Sequence, residues 1–157
     1  MALGIIGALI IIYGTAQWRP QPYYITGAIA LLTTAIYYRL FYYIALELIL
    51  LAGHTAILLG SGPYVQFALP ILLSCQLLIF YLMFGKESSF ILLLGISGIA
   101  LHSVGLAYNH QWIFLTGSTF IAIYSFYRGY RGRYPAYIWA GLNTILALIS
   151  LYKIFLL

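Results

Sequence analysis

The sequence predicts an all-α protein, a polytopic transmembrane helix bundle of about seven spans, and three observations carry that expectation. Of 157 residues, 64% are hydrophobic and 6% charged, whereas a soluble domain has roughly a quarter of its residues charged. A water-facing surface could not be covered. Apolar runs of about twenty residues, enough to cross about 30 Å of hydrocarbon as helix, follow one another with little polar sequence between them. The aromatic residues, among them 16 Tyr, gather where those runs end, the level favoured by rings with one dry and one wet side.

The first run, residues 2–17, is apolar from Met1 and lacks the basic region of a secretory leader, so it is expected as a retained helix. The stretch Gln17 to Pro22 breaks it, and a second run, 22–38, extends to the Arg39 junction. The third, 40–60, stops at Gly60-Ser61-Gly62-Pro63. The fourth, 64–84, contains Pro70, which removes one helical hydrogen bond and predicts a kink. Gly85 to Ser89 separates it from the fifth run, 88–107, and Tyr108 to Gln111 separates that from the sixth, 110–128. The basic stretch Arg128 to Pro135 leads into the seventh, 134–155. Connections this short make neighbours antiparallel, and residues 1–157 are expected to form a single integral membrane domain.

Seven spans assign each basic residue to a side. Arg39, Lys86, Arg128, Arg131 and Arg133 share the side of the N-terminus, against Arg19 and Lys153 opposite. The excess places the N-terminus in the cytoplasm, in a bacterial or archaeal cytoplasmic membrane or an organellar inner membrane. The basic residues sit at span ends, without the basic face of a nucleic-acid binder, so no nucleic-acid partner is expected. Arg128, Arg131 and Arg133 form the most basic stretch, a surface for anionic lipid headgroups at about 1 kcal/mol per basic residue, or for an acidic partner.

Compared with itself, the chain carries a repeat. Leu3-Gly4-Ile5, Gly7 and Gly14 recur as Leu94-Gly95-Ile96, Gly98 and Gly105 at constant spacing. Thr26-Gly27 and Tyr37 recur as Thr116-Gly117 and Tyr127, and Arg39, Tyr43-Ile44 and Leu48 as Arg133, Tyr137-Ile138 and Leu142. The spacing changes only in the connections. Repeat A therefore covers about 2–60, a linker helix about 64–84 and repeat B about 88–155, with both copies in the same orientation. The glycines would let helix backbones approach where lipid removes the hydrophobic driving force. Parallel duplication around a connecting helix resembles, in architecture, the three-plus-one-plus-three plan of sugar transporters of the SWEET type.

Glu47 is the sharpest chemical signal, because it lies inside the third span and the chain has only one other acid, Glu87. A charged carboxylate at that depth costs roughly 2.5 to 3.5 kcal/mol on insertion scales, so it must be partnered or protonated. It is a candidate proton or cation site, with Asn143 and Thr144 of the seventh span as candidate partners across the repeat axis. His54, two helical turns after Glu47, shares its face. His102 of the parallel fifth span falls at a similar depth, so the two imidazoles could hold a b-type haem or a metal, or orient a quinone. His110 belongs to a connection.

There is no Asp for a triad, no nucleophile elbow and no phosphate-cradling Gly loop, so the reading leans away from an enzyme. Cys75, the one cysteine, can form no intrachain disulfide and is expected as a small packing residue. Three functional classes remain. The first is an accessory or scaffold subunit of a larger membrane assembly, held by other membrane subunits or by copies of itself. The second is a small solute, proton or ion transporter or channel using Glu47, and the third a haem- or quinone-associated redox subunit.

Overall fold

The computed structural model describes residues 1–84 and 89–156. Among them are seven α-helices and no strand: α1 Ala2–Gly14, α2 Gln21–Tyr37, α3 Phe41–Leu58, α4 Pro63–Phe84, α5 Ser89–Ala107, α6 Gln111–Tyr130 and α7 Tyr137–Leu156, the last preceded by a 3₁₀ turn, Tyr134–Ala136. Four segments, Phe41–Leu58, Pro63–Met83, Phe90–Ala107 and Tyr134–Leu156, are long and apolar enough to cross a bilayer. The expected connection of the fourth and fifth spans, with Lys86 and Glu87, lies outside the described residues.

The remaining three helices fall short of that measure for visible reasons. The first run, expected over 2–17, is α-helical only to Gly14, about 20 Å at 1.5 Å per residue. Its end tightens into shorter-range bonds, Ala16 N–H to Tyr13 O and Gln17 N–H to Gly14 O, while the Thr15 hydroxyl occupies Ile12 O. α2 has 17 residues. α6 has 20, but interrupts its apolar run with Thr116, Ser118, Thr119, Ser125 and Arg128.

The tight antiparallel turns share one device. After α2, α3, α5 and α6 a residue takes positive φ, at Arg39, Gly60, Asn109 and Gly132. The next N–H then reaches back to an orphan carbonyl: Leu40 to Ala35, Ser61 to Ala56, His110 to Gly105 and Arg133 to Arg128. This left-handed cap satisfies carbonyls that neither lipid nor a longer loop would. His110 also opens α6, its Nδ1 accepting from Ile113 N–H at 3.4 Å.

Packing follows chain order, and α7 returns to α1 to close a ring. α3 also touches α5 directly. α4 therefore bridges their outer side, and its apolar window is only 11% buried. Pro70 and Ser74 are buried on that helix, Pro70 with its ring 3.8 Å from the position a side chain on Gly53 would take. Cys75, expected as a packing residue, is exposed on α4 instead, because so little of that helix faces the ring.

Large apolar side chains such as Leu9, Ile36, Leu72 and Phe155 point outward, as a lipid-facing surface requires. Aromatic residues divide into two populations. Trp18, Tyr37, Tyr64, Tyr130 and Tyr134 are exposed at helix ends, where a belt at the headgroup level was expected. Tyr42 and Tyr43, expected in the same belt, are core residues at 2% and 1% exposure. The Tyr42 hydroxyl donates to Gly95 O at 2.7 Å, so its polar end is satisfied inside the bundle and needs no headgroup water.

Candidate functional site

α3, α5 and α7 carry the buried residues Glu47, His54, His102 and Asn143. Glu47 is 1% exposed, and its Oε1 accepts a 2.7 Å hydrogen bond from Trp139 Nε1–H of α7. Trp139 is completely buried, held on its other side by the Tyr43 ring at 4.4 Å. The second carboxylate oxygen, Oε2, is buried without a partner among the described residues.

Asn143 follows Trp139 by one turn and donates from Nδ2 to Trp139 O at 3.0 Å. Thr144 is directed elsewhere: its hydroxyl bonds Ala140 O within α7. The same back-bonding occupies Thr26, Thr33, Thr34, Thr116 and Thr119. The protons of these hydroxyls are committed to their own helices, which leaves the oxygens only as acceptors.

His54 and His102 are buried. The His54 ring lies 5.0 Å from that of Tyr24. His102 has its Nδ1 3.0 Å from Ser118 Oγ on α6 and its ring 4.4 Å from Phe114. That bond depends on Gly117, since a Cβ there would collide with the His102 backbone nitrogen. Only a residue without a side chain lets α6 come close enough.

A cavity of about 30 Å³ joins these groups, with Tyr24, Glu47, His54, His102, Trp139 and Asn143 in its otherwise apolar wall. A polar space of that size has room for about two waters. Among the described residues no Lys or Arg lines it. A carboxylate without a counter-charge in such surroundings persists as the neutral acid or beside a bound cation. The arrangement can thus hold a proton on the carboxyl group, with water in a cavity that two imidazoles also line. Among the described residues no group of three or more His, Cys, Asp or Glu is placed to hold a metal.

The basic stretch lies at the opposite end from His54 and His102. The Arg128 guanidinium stands 5.9 Å over the Tyr124 ring and that of Arg131 6.0 Å over Tyr127, while Arg131 and Arg133 are exposed. Trp139 is the residue that sequence reasoning missed. A Trp within an apolar run near a span end reads as an interface anchor, and nothing in its neighbours announces a carboxylate on a helix far away in the chain.

The fold and the site together define the class: an all-helical bundle with membrane-spanning capacity and an ionisable centre. Comparison with protein-family models, with curated proteins and with solved structures finds no match to this chain.

Proposed function

We propose that the chain is an integral membrane protein of seven spans that carries protons, alone or with a water-sized solute, through a central site built on Glu47. The observation that carries this reading is Glu47, one carboxyl oxygen of which has no partner, in the wall of a cavity that two imidazoles also line and that no basic side chain among the described residues lines. Intramembrane ionisable groups are costly, and their commonest use is on an ion or proton path. The cavity's volume favours water and protons over a porphyrin between the two histidines.

Helix adjacency supports the parallel duplication. If α1, α2 and α3 correspond to α5, α6 and α7, then the α3 to α5 contact corresponds to the α7 to α1 contact, and both occur. The related glycines also lie at close approaches in both halves. A Cβ on Gly7 would come 2.7 Å from Gly27 O, and one on Gly98 3.0 Å from Ile121 N. With seven spans, the basic residues put the N-terminus and the Arg128 to Arg133 loop in the cytoplasm.

Reconstitution tests the reading. Liposomes loaded with a pH-sensitive dye and containing the purified protein should acidify under an imposed potential, and Glu47→Gln should abolish the flux. Equal flux in that variant removes the site. The second reading is the accessory subunit, favoured by the large outward apolar face of α4. Purification at low detergent with other membrane proteins in fixed ratio, together with no flux, would replace the carrier by the subunit.

A further inference from the structure

A second polar pocket, of about 50 Å³, lies at the end of the bundle formed by the start of α2 and α6 and the end of α5 and α7. Asn109, Gln111, Ser150 and Lys153 supply its polar lining. Lys153 Nζ donates to Thr15 O at 3.5 Å. Ser150 is 1% exposed, and its hydroxyl has no partner among the described residues. Tyr24, Leu106 and Phe114 line both this pocket and the central cavity, so three side chains form the partition between the two.

At the other end of the bundle a groove of about 250 Å³, lined by Met1, Leu3, Thr33, Thr34, Tyr37 and Tyr38, shares no residue with the central cavity, and aromatic rings fill the interior beyond Glu47. Tyr42, Tyr43, Tyr124 and Trp139 are all at most 2% exposed. Their rings pack in series, Tyr124 4.0 Å from Tyr42, Tyr42 5.0 Å from Tyr43 and Tyr43 4.4 Å from Trp139, ending on the Trp139 hydrogen bond to Glu47. Close-packed rings in that order hinder the passage of water: the Tyr42 hydroxyl is turned aside onto Gly95 O, and those of Tyr43 and Ser125 are buried without a partner among the described residues.

We infer that the pocket beside Lys153 is the aqueous entrance to Glu47, that Tyr24, Leu106 and Phe114 form its inner wall, and that it admits water-sized species. The inference rests on the central cavity being a working site, as proposed above. In that arrangement the site exchanges with one side of the membrane only, and the aromatic stack is the closure on the other. Lys153 at the mouth disfavours a free metal cation as the species that enters, and the two small volumes disfavour larger solutes.

Cysteine oxidation and water footprinting test it. In a Cys75→Ser background, Ser150→Cys should be oxidised by hydrogen peroxide, a reagent little larger than water, while Ser125→Cys, buried on the side of the ring stack, should react at least about tenfold more slowly, the factor imposed by an opening cost of about 1.4 kcal/mol. Asn143→Cys should react at an intermediate rate. To make the test independent of the folding of the variants, the unmodified protein is also exposed to hydroxyl radicals generated from its own bound water. Tyr24 and Phe114 should oxidise, and Tyr42, Tyr43 and Tyr124 should not. Unreactive Ser150→Cys, equal reactivity of Ser125→Cys, or oxidation confined to the Tyr42 to Tyr124 stack would overturn the entrance. Absence of proton flux with the expected reactivity intact would instead remove the carrier function and leave the entrance standing.

Discussion

Trp139 and Glu47, 92 residues apart in the chain, are joined by a 2.7 Å hydrogen bond between two side chains that are both fully buried. The bond ties α7 to α3 across the ring and leaves the other carboxyl oxygen without a partner among the described residues. It determines which atoms of the site are structural and which are free to react.

The coupling of that pair is measurable. Trp139→Phe leaves Glu47 Oε1 buried and unpaired, which should lower stability by about 1 to 3 kcal/mol. Glu47→Gln keeps an accepting oxygen and should cost less than Trp139→Phe. In a double-mutant cycle with Glu47→Leu, thermal unfolding in detergent should give a coupling of about 0.5 to 3 kcal/mol. Strict additivity would mean that the bond contributes nothing.

Close approach at Gly117 should be as consequential as any polar contact. Gly117→Ala drives a methyl into the His102 backbone, and overpacking of this kind costs about 1 to 3 kcal/mol. Gly62→Ala, with nothing within 4 Å of the new carbon, should stay within about 0.5 kcal/mol. Melting temperatures of the two variants, compared with the parent, decide it.

Backbone handedness separates two further positions. Gly132 has φ of 92° with open space around it, so Gly132→Ala should lose stability through strain alone, by about 1 kcal/mol. Arg39 adopts φ of 52°, and Arg39→Gly should relieve part of a similar strain, offset by the greater freedom of glycine in the unfolded chain. If Gly132→Ala proves neutral, the left-handed cap after α6 is not needed to end that helix.

Orientation follows from charge and is tested independently of stability. Alkaline phosphatase fused after Leu156 should be active in a bacterial host, and the same enzyme inserted at Arg131 should be inactive. The opposite pattern would invert the topology and put the Lys153 entrance on the cytoplasmic side, without altering its chemistry.

Glu47 was legible because a lone carboxylate in an apolar run is costly wherever that run lies, and His54 because a spacing of two turns puts it on the same helical face. Asn143 lines the same cavity as Glu47, while the hydrogen bond to the carboxylate comes from Trp139. Choosing between neighbours one turn apart on α7 requires knowing how that helix is rotated. Tyr42 and Tyr43 stand beside a helix end in the sequence, exactly as belt residues do, and only the neighbours on α5, α6 and α7 reveal that the ring interior surrounds them. The threonines were readable in principle, since a helical Thr can always bond the carbonyl four residues back.

Local pattern alone specified the helices, their turns and the anomaly of one buried acid, because hydrocarbon length, backbone hydrogen bonding and the cost of charge act on each segment separately. Which side chain meets the acid, where water can stand and which end of the bundle is sealed were decided by tertiary packing. Those outcomes depend on the rotation and approach of helices distant in sequence, set by glycine contacts and ring stacking that no single segment contains.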